Sequence, residues 1–567
     1  MRGIGIGVAA ALATAALSGC GATAGMSIAP APGAGGAAVE RDARAIVQFR
    51  PGVSAPEQRS IVRRAGGVVI RDLHVIRALG VRMPRDAFGR LRSTAGVRAV
   101  TPDAPIRPEA AAAQATAWRP TALATAFVQS THTDRVWTDP RTPSTGRGVT
   151  VAVVDTGVAG DLPDFTDPAT STSRVVASVV TNPAATTAGD AYGHGTHVAG
   201  LIAGDGRNLP KSDPLYGRYV GTAPDARLVS VKVSNDHGDA TVMDVIDGLQ
   251  FVVDHEADYG IRVVNLSLGS TRPTSYRQDP LDAAVEAAWA RGIVVVAAAG
   301  NRGTAGDAVS YAPANDPYAI VVGAVDDQGT KDTTDDTLAS WSSRGVTPDG
   351  VAKPDLVAPG AHIAAPLAPG SDFGQLCAGC VIGGRYFQLS GTSAAAPIVA
   401  GIAADILSVH PQWTPDQVKG ALTYNSGTLD ASGGPDTNMR LTADGSWEVA
   451  ADLAVKATSR ELVANTGLSP STLLDPATGW IATDGGSWQR ASWKDATGTL
   501  RASWGAASWM CDCSAGSADA AATSRASWGR ASWKSFFGDA PSGGDAPSTG
   551  DAPSGGDAPS GGDAQSG

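Results

Sequence analysis

Three short segments of this 567-residue chain carry side chains that together can activate a nucleophile. Asp155 follows the apolar run Val-Ala-Val-Val, His194 lies between two glycines, and Ser393 opens a run of small residues. An aspartate at a strand end is often a turn residue, and a serine before a helix is often a cap. A carboxylate, an imidazole and a hydroxyl in contact can instead make the hydroxyl an attacking group, because the imidazole takes its proton.

A metal site is the alternative interpretation of the segment around His194. His194 and His197 are three residues apart in Gly-His-Gly-Thr-His, so they can share one face of a helix. We find no clear carboxylate to complete a ligand set, and we predict that His197 is structural. The glycines let the backbone crowd His194.

The three motifs, in the chain order Asp, His, Ser, resemble those of the subtilisin-like serine proteases, or subtilases. The resemblance covers about residues 44–456. It implies that Ser393 attacks a peptide carbonyl, that His194 takes and returns the proton, and that Asp155 orients the imidazole. It also identifies Asn301 as the oxyanion donor that acts with the Ser393 N–H. The expected activity is endopeptidase cleavage of proteins or peptides through an acyl-enzyme, with no cofactor required for the chemistry.

Two segments match the walls of the family's primary specificity pocket, and their extended backbones would pair with a substrate strand. They are Ser267-Leu268-Gly269 and Ala298-Ala299-Gly300. Their small side chains leave room for a sizeable apolar P1 residue, which is the residue on the N-terminal side of the cleaved bond. Arg302 and Tyr311 are placed to narrow or charge that pocket.

The chain departs from the common family pattern near the nucleophile. Ala394 follows Ser393 where many members have methionine, and Cys377 and Cys380 lie in an insertion just before it. The loop 205–219 also differs in length and composition where family members often bind calcium. Structural calcium therefore stays an open alternative, and we assign no metal ligand.

From residue 148 onward, β-rich runs alternate with amphipathic helical patterns. The runs are Val149–Val154, Arg227–Val233, Val242–Asp254, Arg262–Leu268, Leu281–Ala290, Ile293–Ala298 and Ala319–Val325. This alternation predicts an α/β fold, in which a parallel sheet has helices on both faces. We assign residues 118–456 to this peptidase domain, with its active site at the carboxyl ends of the strands.

A basic segment, residues 44–107, follows a linker at 25–43. Residues 41–107 hold 14 arginines and five acidic residues, so the rest of the chain carries a net charge of −20. The predicted elements form a small α+β, ferredoxin-like unit: they are strand Ala45–Phe49, helix Ala55–Ala65, strand Val68–Ile76, strand Ala78–Met83, helix Arg85–Ala95 and strand Val97–Val100. The unit resembles the inhibitory propeptide of subtilases, and its charge should attract it to the peptidase domain. Its C-terminal end is expected in the substrate groove, with self-cleavage between about Arg107 and Trp118, in the linker 108–117.

The N-terminal residues 1–24 have the pattern of an export signal, in which Arg2 precedes an apolar run. Leu17-Ser18-Gly19-Cys20 resembles a bacterial lipobox, so Cys20 is the candidate for lipidation and membrane anchoring. Ordinary signal cleavage after Ala24 is the alternative. Either interpretation places the protein outside the cytoplasm.

The cysteines other than Cys20 are even in number and lie in two close pairs. The pairs are Cys377 with Cys380 and Cys511 with Cys513. Two local disulfides would suit an oxidising compartment. Zinc is the alternative for the first pair, although no histidine lies close to either pair in the sequence.

The composition changes after the peptidase domain. Residues 457–537 are rich in serine and in tryptophans paired five apart, and residues 538–567 repeat Asp-Ala-Pro-Ser-Gly-Gly, a pattern that predicts disorder. The exposed indoles could bind cell-wall glycan or another surface partner, and a spacer is the alternative.

Charge and motif order exclude other functions. The net charge of −11 argues against nucleic-acid binding. An α/β-hydrolase esterase would need Gly-x-Ser-x-Gly and the order Ser, Asp, His, and the sequence has neither. A catalytically inactive scaffold is the main non-enzyme alternative, and the complete set of catalytic residues argues against it.

Overall fold

The computed structural model describes most of the two predicted folded units. The described ranges are residues 42–109, 125–429, 435–457 and 464–473. The predicted signal with Cys20, most of the linker 108–117, and the repeats with Cys511 and Cys513 lie outside the described residues.

The N-terminal unit has the predicted α+β architecture. Its elements are β1 (Asp42–Phe49), α1 (Ala55–Arg64), β2 (Val68–Leu73), β3 (Ala78–Pro84), α2 (Ala87–Arg92) and β4 (Val97–Pro102), followed by β5 (Pro105–Pro108). The first four strands form an antiparallel sheet in the order β2-β3-β1-β4. Its own core, which includes Val47, Val62 and Val81, is fully buried. The predicted strand to Ile76 ends earlier, because residues His74–Ile76 form a 3₁₀ turn that brings the chain back into β3.

The larger unit contains the remaining strands and helices. The strands are β6 (Thr150–Asp155), β7 (Val175–Val180), β8 (Arg227–Lys232), β9 (Ala240–Thr241), β10 (Ile261–Leu266), β11 (Leu268–Ser270), β12 (Val294–Ala298), β13 (Ile320–Asp326), β14 (Thr337–Leu338), β15 (Gly345–Val346), β16 (Ala352–Lys353), β17 (Leu356–Pro359), β18 (Ile363–Pro366), β19 (Val381–Ile382), β20 (Tyr386–Leu389), β21 (Asn425–Leu429), β22 (Pro435–Thr437), β23 (Met439–Leu441) and β24 (Trp447–Val449). The helices are α3 (Phe127–Ser130), α4 (Thr133–Trp137), α5 (His194–Ala203), α6 (Val242–Asp254), α7 (Glu256–Tyr259), α8 (Pro280–Ala290), α9 (Asp372–Leu376), α10 (Thr392–Val409), α11 (Pro415–Thr423) and α12 (Ala451–Val455).

The central sheet confirms the predicted parallel α/β fold. Its strands follow the order β23-β24-β17-β13-β12-β10-β6-β8-β7, and only the pair β23 and β24 along this path is antiparallel. All six residues of β6 are buried, as expected for a strand that is covered on both faces. The helices α5 and α10 pack together on one face, and α6 and α8 pack together on the other.

Helix α10 is long and apolar enough to cross a membrane by length and composition, but 89% of it is buried inside the protein. It lies against β10, β12 and β13, so it is the central helix of the core. Ser393 is its second residue. The buried helix therefore holds the nucleophile candidate on a rigid support.

The predicted strand Arg262–Leu268 is divided in two. Residues Ile261–Leu266 remain in the central sheet, whereas Leu268–Ser270 turn away and pair with β5. This division places Ser267 at the edge of the site. The cause is tertiary, because the partner of β11 comes from the N-terminal unit.

The larger unit also extends beyond the predicted boundary at residue 456. Ser471 donates its backbone N–H to the buried carboxyl of Glu286, and the Tyr276 hydroxyl donates to the Ser469 carbonyl. Residues 464–473 therefore pack on the peptidase unit.

Candidate active site

The carboxyl end of β6 and the N-terminus of α5 bring Asp155 and His194 together. His194 Nδ1 lies 2.7 Å from Asp155 Oδ1, and both side chains are buried. Burial alone would lower the pKa of His194, but the charge and hydrogen bond of Asp155, together with the charges of Asp190 and Glu109, outweigh burial and raise this pKa above its usual value. Asp155 thus fixes the ring and favours its protonated form.

This contact depends on the glycines beside the histidine. A side chain at Gly195 would collide with the Gly157 carbonyl oxygen, and Gly193 has a φ of +110°, which favours glycine. The sequence Gly-His-Gly is therefore required for the close approach of α5 to the end of β6.

Ser393 lies at the start of α10 with its backbone N–H directed at a carbonyl group. That N–H donates to the carbonyl oxygen of Glu109 at 3.1 Å. Within the described residues, neither Ser393 Oγ nor His194 Nε2 has a hydrogen-bond partner. Both buried atoms are therefore available to a reacting group.

Asn301 is oriented by the same helix start. Its Oδ1 accepts hydrogen bonds from the Thr392 backbone N–H at 3.0 Å and from the Thr392 hydroxyl at 3.1 Å. Asn301 Nδ2 is buried and has no partner among the described residues. Because Oδ1 is held by Thr392, Nδ2 is left as the free donor.

The predicted pocket walls enclose a segment of the N-terminal unit. Strand β5 pairs antiparallel with β11, and this pairing places Pro108 of β5 opposite Leu268 of β11. The other edge of β5 pairs with β9. Glu109, the residue after β5, donates its N–H to the Ser267 carbonyl at 3.2 Å. The Ser267 hydroxyl in turn donates to the Ser393 carbonyl at 2.9 Å. The segment thus lies where a substrate strand was expected.

The second wall follows β12. Ala298 and Ala299 are buried, and the chain then turns at Gly300, which has a φ of +98°. The backbone N–H of Asn301 points into the pocket and donates to Glu109 Oε2 at 3.2 Å. The two walls are therefore lined mainly by backbone, as the small residues predict.

Glu109 is the residue of this site that the sequence reasoning missed. The sequence places it in the linker 108–117, whereas in the structure the residue is only 8% exposed and its carboxyl group lies between the two pocket walls. Burial raises the pKa of the Glu109 carboxyl, and the Arg302 guanidinium partly offsets this effect. Its only sequence signal is its position just after the C-terminal end of the basic segment, residues 44–107.

Comparison with known proteins follows this geometry. The model of the subtilase family, Peptidase_S8, matches residues 146–451. The chain belongs to the subtilase family. The resemblance stated from the three motifs is thereby confirmed.

Individual subtilases resemble the chain over about half its length. It is 42% identical over 280 residues to the serine protease AprX of Bacillus subtilis. This alignment covers 48% of this chain and 60% of AprX. It is 35% identical over 288 residues to subtilisin Savinase of Lederbergia lenta. This alignment covers 51% of this chain and 87% of subtilisin Savinase. The chain thus spans about 60% of the length of AprX.

A solved structure shares the fold. Fervidolysin from Fervidobacterium pennivorans, described as a keratinolytic enzyme related to subtilisin, superposes with a TM-score of 0.53. The identity is 24%, and the match covers 74% of this chain and 61% of that chain. At this identity the likeness supports the fold alone.

His197 of this subtilase has a structural position. Its Nε2 lies 3.2 Å from the Ile363 carbonyl and 3.1 Å from the Phe387 carbonyl, so the ring joins β18 to β20. Burial lowers its pKa to about 3, which keeps the imidazole neutral. The described residues contain no group of three or more His, Cys, Asp or Glu side chains that could hold a metal ion.

The loop 205–219 does not fit the calcium alternative. The carboxylate of Asp205 lies 3.1 Å from Arg207 Nε and 3.9 Å from Arg174. A carboxylate that faces two guanidinium groups already has its counter-charge. We therefore derive no role for calcium in this loop.

A disulfide joins Cys377 to Cys380 in the insertion before Ser393. It leaves no thiolate at this pair for zinc. The same insertion supplies Phe373, whose ring meets the His194 ring edge-on with centroids 6.1 Å apart. The insertion thus covers one side of the catalytic histidine candidate.

Proposed function

We propose that this subtilase is a serine endopeptidase that is made as a self-inhibited precursor. One observation carries the proposal: the Ser393 N–H donates to the Glu109 carbonyl, while the reactive atoms Ser393 Oγ and His194 Nε2 of the site that contains the Asp155–His194 pair are buried and have no partner among the described residues. This arrangement combines a nucleophile, a base, a base-orienting carboxylate and oxyanion donors.

The proposed reaction uses only side chains and backbone of this chain. Ser393 Oγ attacks the peptide carbonyl carbon while His194 Nε2 takes the hydroxyl proton. Asp155 stabilises the imidazolium that forms. The oxyanion accepts from the Ser393 N–H and from Asn301 Nδ2. His194 then protonates the leaving amine, and water hydrolyses the acyl-enzyme by the reverse route.

We further propose that residues 42–109 act as an inhibitory propeptide. Support comes from a buried ion cluster between the two units, in which Arg71 lies 3.2 Å from Asp244 and 3.3 Å from Asp247. His74 Nε2 contacts the Asp254 carboxylate at 3.1 Å. These contacts agree with the opposite charges of the basic segment and the rest of the chain. They hold β5 in the position that a substrate would need.

The proposed location is outside the cytoplasm, as a secreted or lipid-anchored protein. The sequence pattern of residues 1–24 supports it, and so does the disulfide at Cys377, which suits an oxidising compartment. Mass spectrometry of the N-terminus of the unprocessed Ser393→Ala precursor would separate the two forms, since a lipid on Cys20 adds mass. An N-terminus at Gly25 would show ordinary cleavage.

The decisive experiment compares the wild-type precursor with its Ser393→Ala variant. We expect the wild type to release its N-terminal segment and to digest casein, and the variant to do neither. Ser408→Ala is the matched control, because it removes a hydroxyl from the far end of the same helix, where Ser408 bonds the Arg147 carbonyl. If Ser393→Ala and wild type behave alike, the proposed function is wrong.

A further inference from the structure

We propose that the primary specificity pocket of this subtilase selects glutamate at P1, that Arg302 is the specificity-determining cation, and that the precursor cleaves itself on the carboxyl side of Glu109. The inference rests on the proposed function and names its substrate class. It replaces the apolar P1 residue that the small pocket walls favour in the sequence.

The backbone of Glu109 is held as the P1 residue of a bound substrate would be. Its carbonyl oxygen accepts from the Ser393 N–H at 3.1 Å, and its N–H donates to the Ser267 carbonyl at 3.2 Å. The preceding residues continue the register, because Arg107 lies opposite Gly269 and Pro108 opposite Leu268. The carbonyl carbon of Glu109 is therefore the one presented to the nucleophile.

The side chain of Glu109 fills the pocket between the walls. Its Oε2 accepts from the Asn301 N–H at 3.2 Å. A Cβ atom added at Gly269 would stand 2.5 Å from Glu109 Oε1, so the glycine leaves the space that the carboxyl group occupies. The absence of a side chain at Gly269 thus lets the carboxyl group of a P1 side chain lie close to the backbone of this wall.

A carboxylate in such a buried pocket requires a compensating charge. Without one, desolvation would force it to take up a proton. Burial raises the pKa of Glu109, and among the charges that oppose this effect Arg302 ranks first. Arg107 and His194 act in the same direction but less strongly. Arg107 leaves with the propeptide, so Arg302 remains as the principal cation of the mature pocket.

The position of Arg302 is fixed by its neighbours. Its guanidinium lies over the Tyr311 ring, 3.8 Å from the ring centre, and the Tyr311 hydroxyl donates to Asp307. The Arg302 backbone N–H donates to the Ser343 hydroxyl at 2.9 Å. The guanidinium anchored in this way belongs to the residue that directly follows Asn301, whose N–H holds Glu109 Oε2.

The cleavage step balances without any further reactant than water. The Ser393 Oγ–C bond to Glu109 forms, and the C–N bond between Glu109 and Ala110 breaks. The serine proton passes through His194 to the amine of Ala110, and water then releases the Glu109 carboxyl group from the enzyme.

The first test measures P1 preference on the mature enzyme. The probes are p-nitroanilide peptides Ala-Pro-Ile-Arg-Pro-Xaa, which copy residues 104–108, with glutamate, glutamine, leucine or phenylalanine as Xaa. We expect kcat/KM for glutamate to exceed that for glutamine by about 10- to 100-fold, the range of one charge-assisted contact. Leucine and phenylalanine should be poorer still, since they leave the Asn301 N–H unpaired.

The second test removes the cation. Arg302→Met should lower kcat/KM for the glutamate substrate by a similar factor and leave the glutamine substrate nearly unchanged. The matched control is Arg291→Met, because Arg291 pairs with Glu256 away from the pocket. Arg302→Lys should restore part of the glutamate preference.

The third test locates the self-cleavage. Mass spectrometry of the mature chain should find Ala110 at its N-terminus, and Glu109→Lys should slow processing or move the cleavage elsewhere. A Ser393-dependent enzyme that prefers leucine or phenylalanine would overturn the glutamate proposal alone. The proposal would also be overturned if Arg302→Met left the ratio of kcat/KM between the glutamate and glutamine substrates unchanged. Equal activity of wild type and Ser393→Ala would instead refute the proposed function.

Discussion

Replacement of Asn301 gives the sharpest test of the oxyanion site. Asn301→Ala removes Nδ2, the proposed second oxyanion donor, and leaves the Ser393 N–H in place. Loss of one such donor costs about 3–4 kcal/mol of transition-state stabilisation. At 1.36 kcal/mol per tenfold in rate, the chemical step should slow by about 10²- to 10³-fold.

Self-processing of the purified precursor is the cleanest assay for this loss. The reaction is intramolecular and turns over once, so its first-order rate reports the chemical step without substrate binding. The rate can be followed as loss of the full-length chain on a gel. After processing is complete, kcat on a peptide substrate should fall while KM stays nearly constant, because the contact forms only in the transition state.

A graded variant tests how Asn301 is held. Thr392→Val removes the hydroxyl that donates to Asn301 Oδ1 and accepts from the Gly300 N–H, but it keeps the Thr392 N–H bond to Asn301. Two neutral hydrogen bonds together contribute about 1–3 kcal/mol, so the rate should fall by about 5- to 150-fold. The reasoning is refuted if Asn301→Ala processes within threefold of wild type while Ser393→Ala does not process.

Three further predictions concern the base, the propeptide interface and a buried acid. Asp155→Asn should lower kcat about 10⁴-fold and shift the pH–rate midpoint downward, because Asp155 raises the pKa of His194. Arg71→Met should destabilise the Ser393→Ala precursor by about 3–5 kcal/mol in chemical denaturation, since it leaves buried carboxylates without their cation. Glu286→Gln should raise the thermal midpoint of that precursor more at pH 8 than at pH 5. Burial raises the pKa of Glu286 to about 10, so the stability of the wild type is greatest below about pH 4.5 and falls as pH rises toward 10.

Controls distinguish these effects from general damage. Arg59→Met removes an exposed ion pair with Asp72 and should cost about 0–1 kcal/mol. Glu256→Gln, at an exposed ion pair with Arg291, should change the thermal midpoint equally at both pH values. A loss below tenfold in Asp155→Asn, or an Arg71→Met effect equal to that of Arg59→Met, would contradict the corresponding prediction.

The central elements could be predicted because their local patterns agree with their surroundings. Strand β6 is a continuous run of buried, mostly small and β-branched residues. Such a run, without alternating polar residues, is typical of a strand that is covered on both faces of the sheet. The helix predicted at Val242–Asp254 has these bounds in the structure, where Thr241 and Asp244 form a capping box at its start. Local chemistry therefore fixed both the type and the limits of these elements.

Other features depend on contacts between distant segments. The division of the predicted strand Arg262–Leu268 requires β5 as the partner of Leu268, a pairing across some 160 residues that no local pattern encodes. The extension of the peptidase unit past residue 456 likewise depends on the contact of Ser471 with buried Glu286. The sequence around residues 464–473 has the composition of the tail, so composition alone drew the boundary too early.

Glu109 illustrates why the specificity pocket could not be derived from its walls alone. Glycines and alanines in the walls indicate only space, and space is compatible with an apolar or a polar occupant. The discriminating group is a guanidinium from outside the walls, together with a backbone N–H whose direction depends on the turn at Gly300. Because the propeptide ion pairs at Arg71 and the β5 pairing do not involve the bond after Glu109, cleavage of that bond would leave them intact. Inhibition should therefore persist until the propeptide itself unfolds or is degraded, and the released enzyme should keep the pocket in which Glu109 lay.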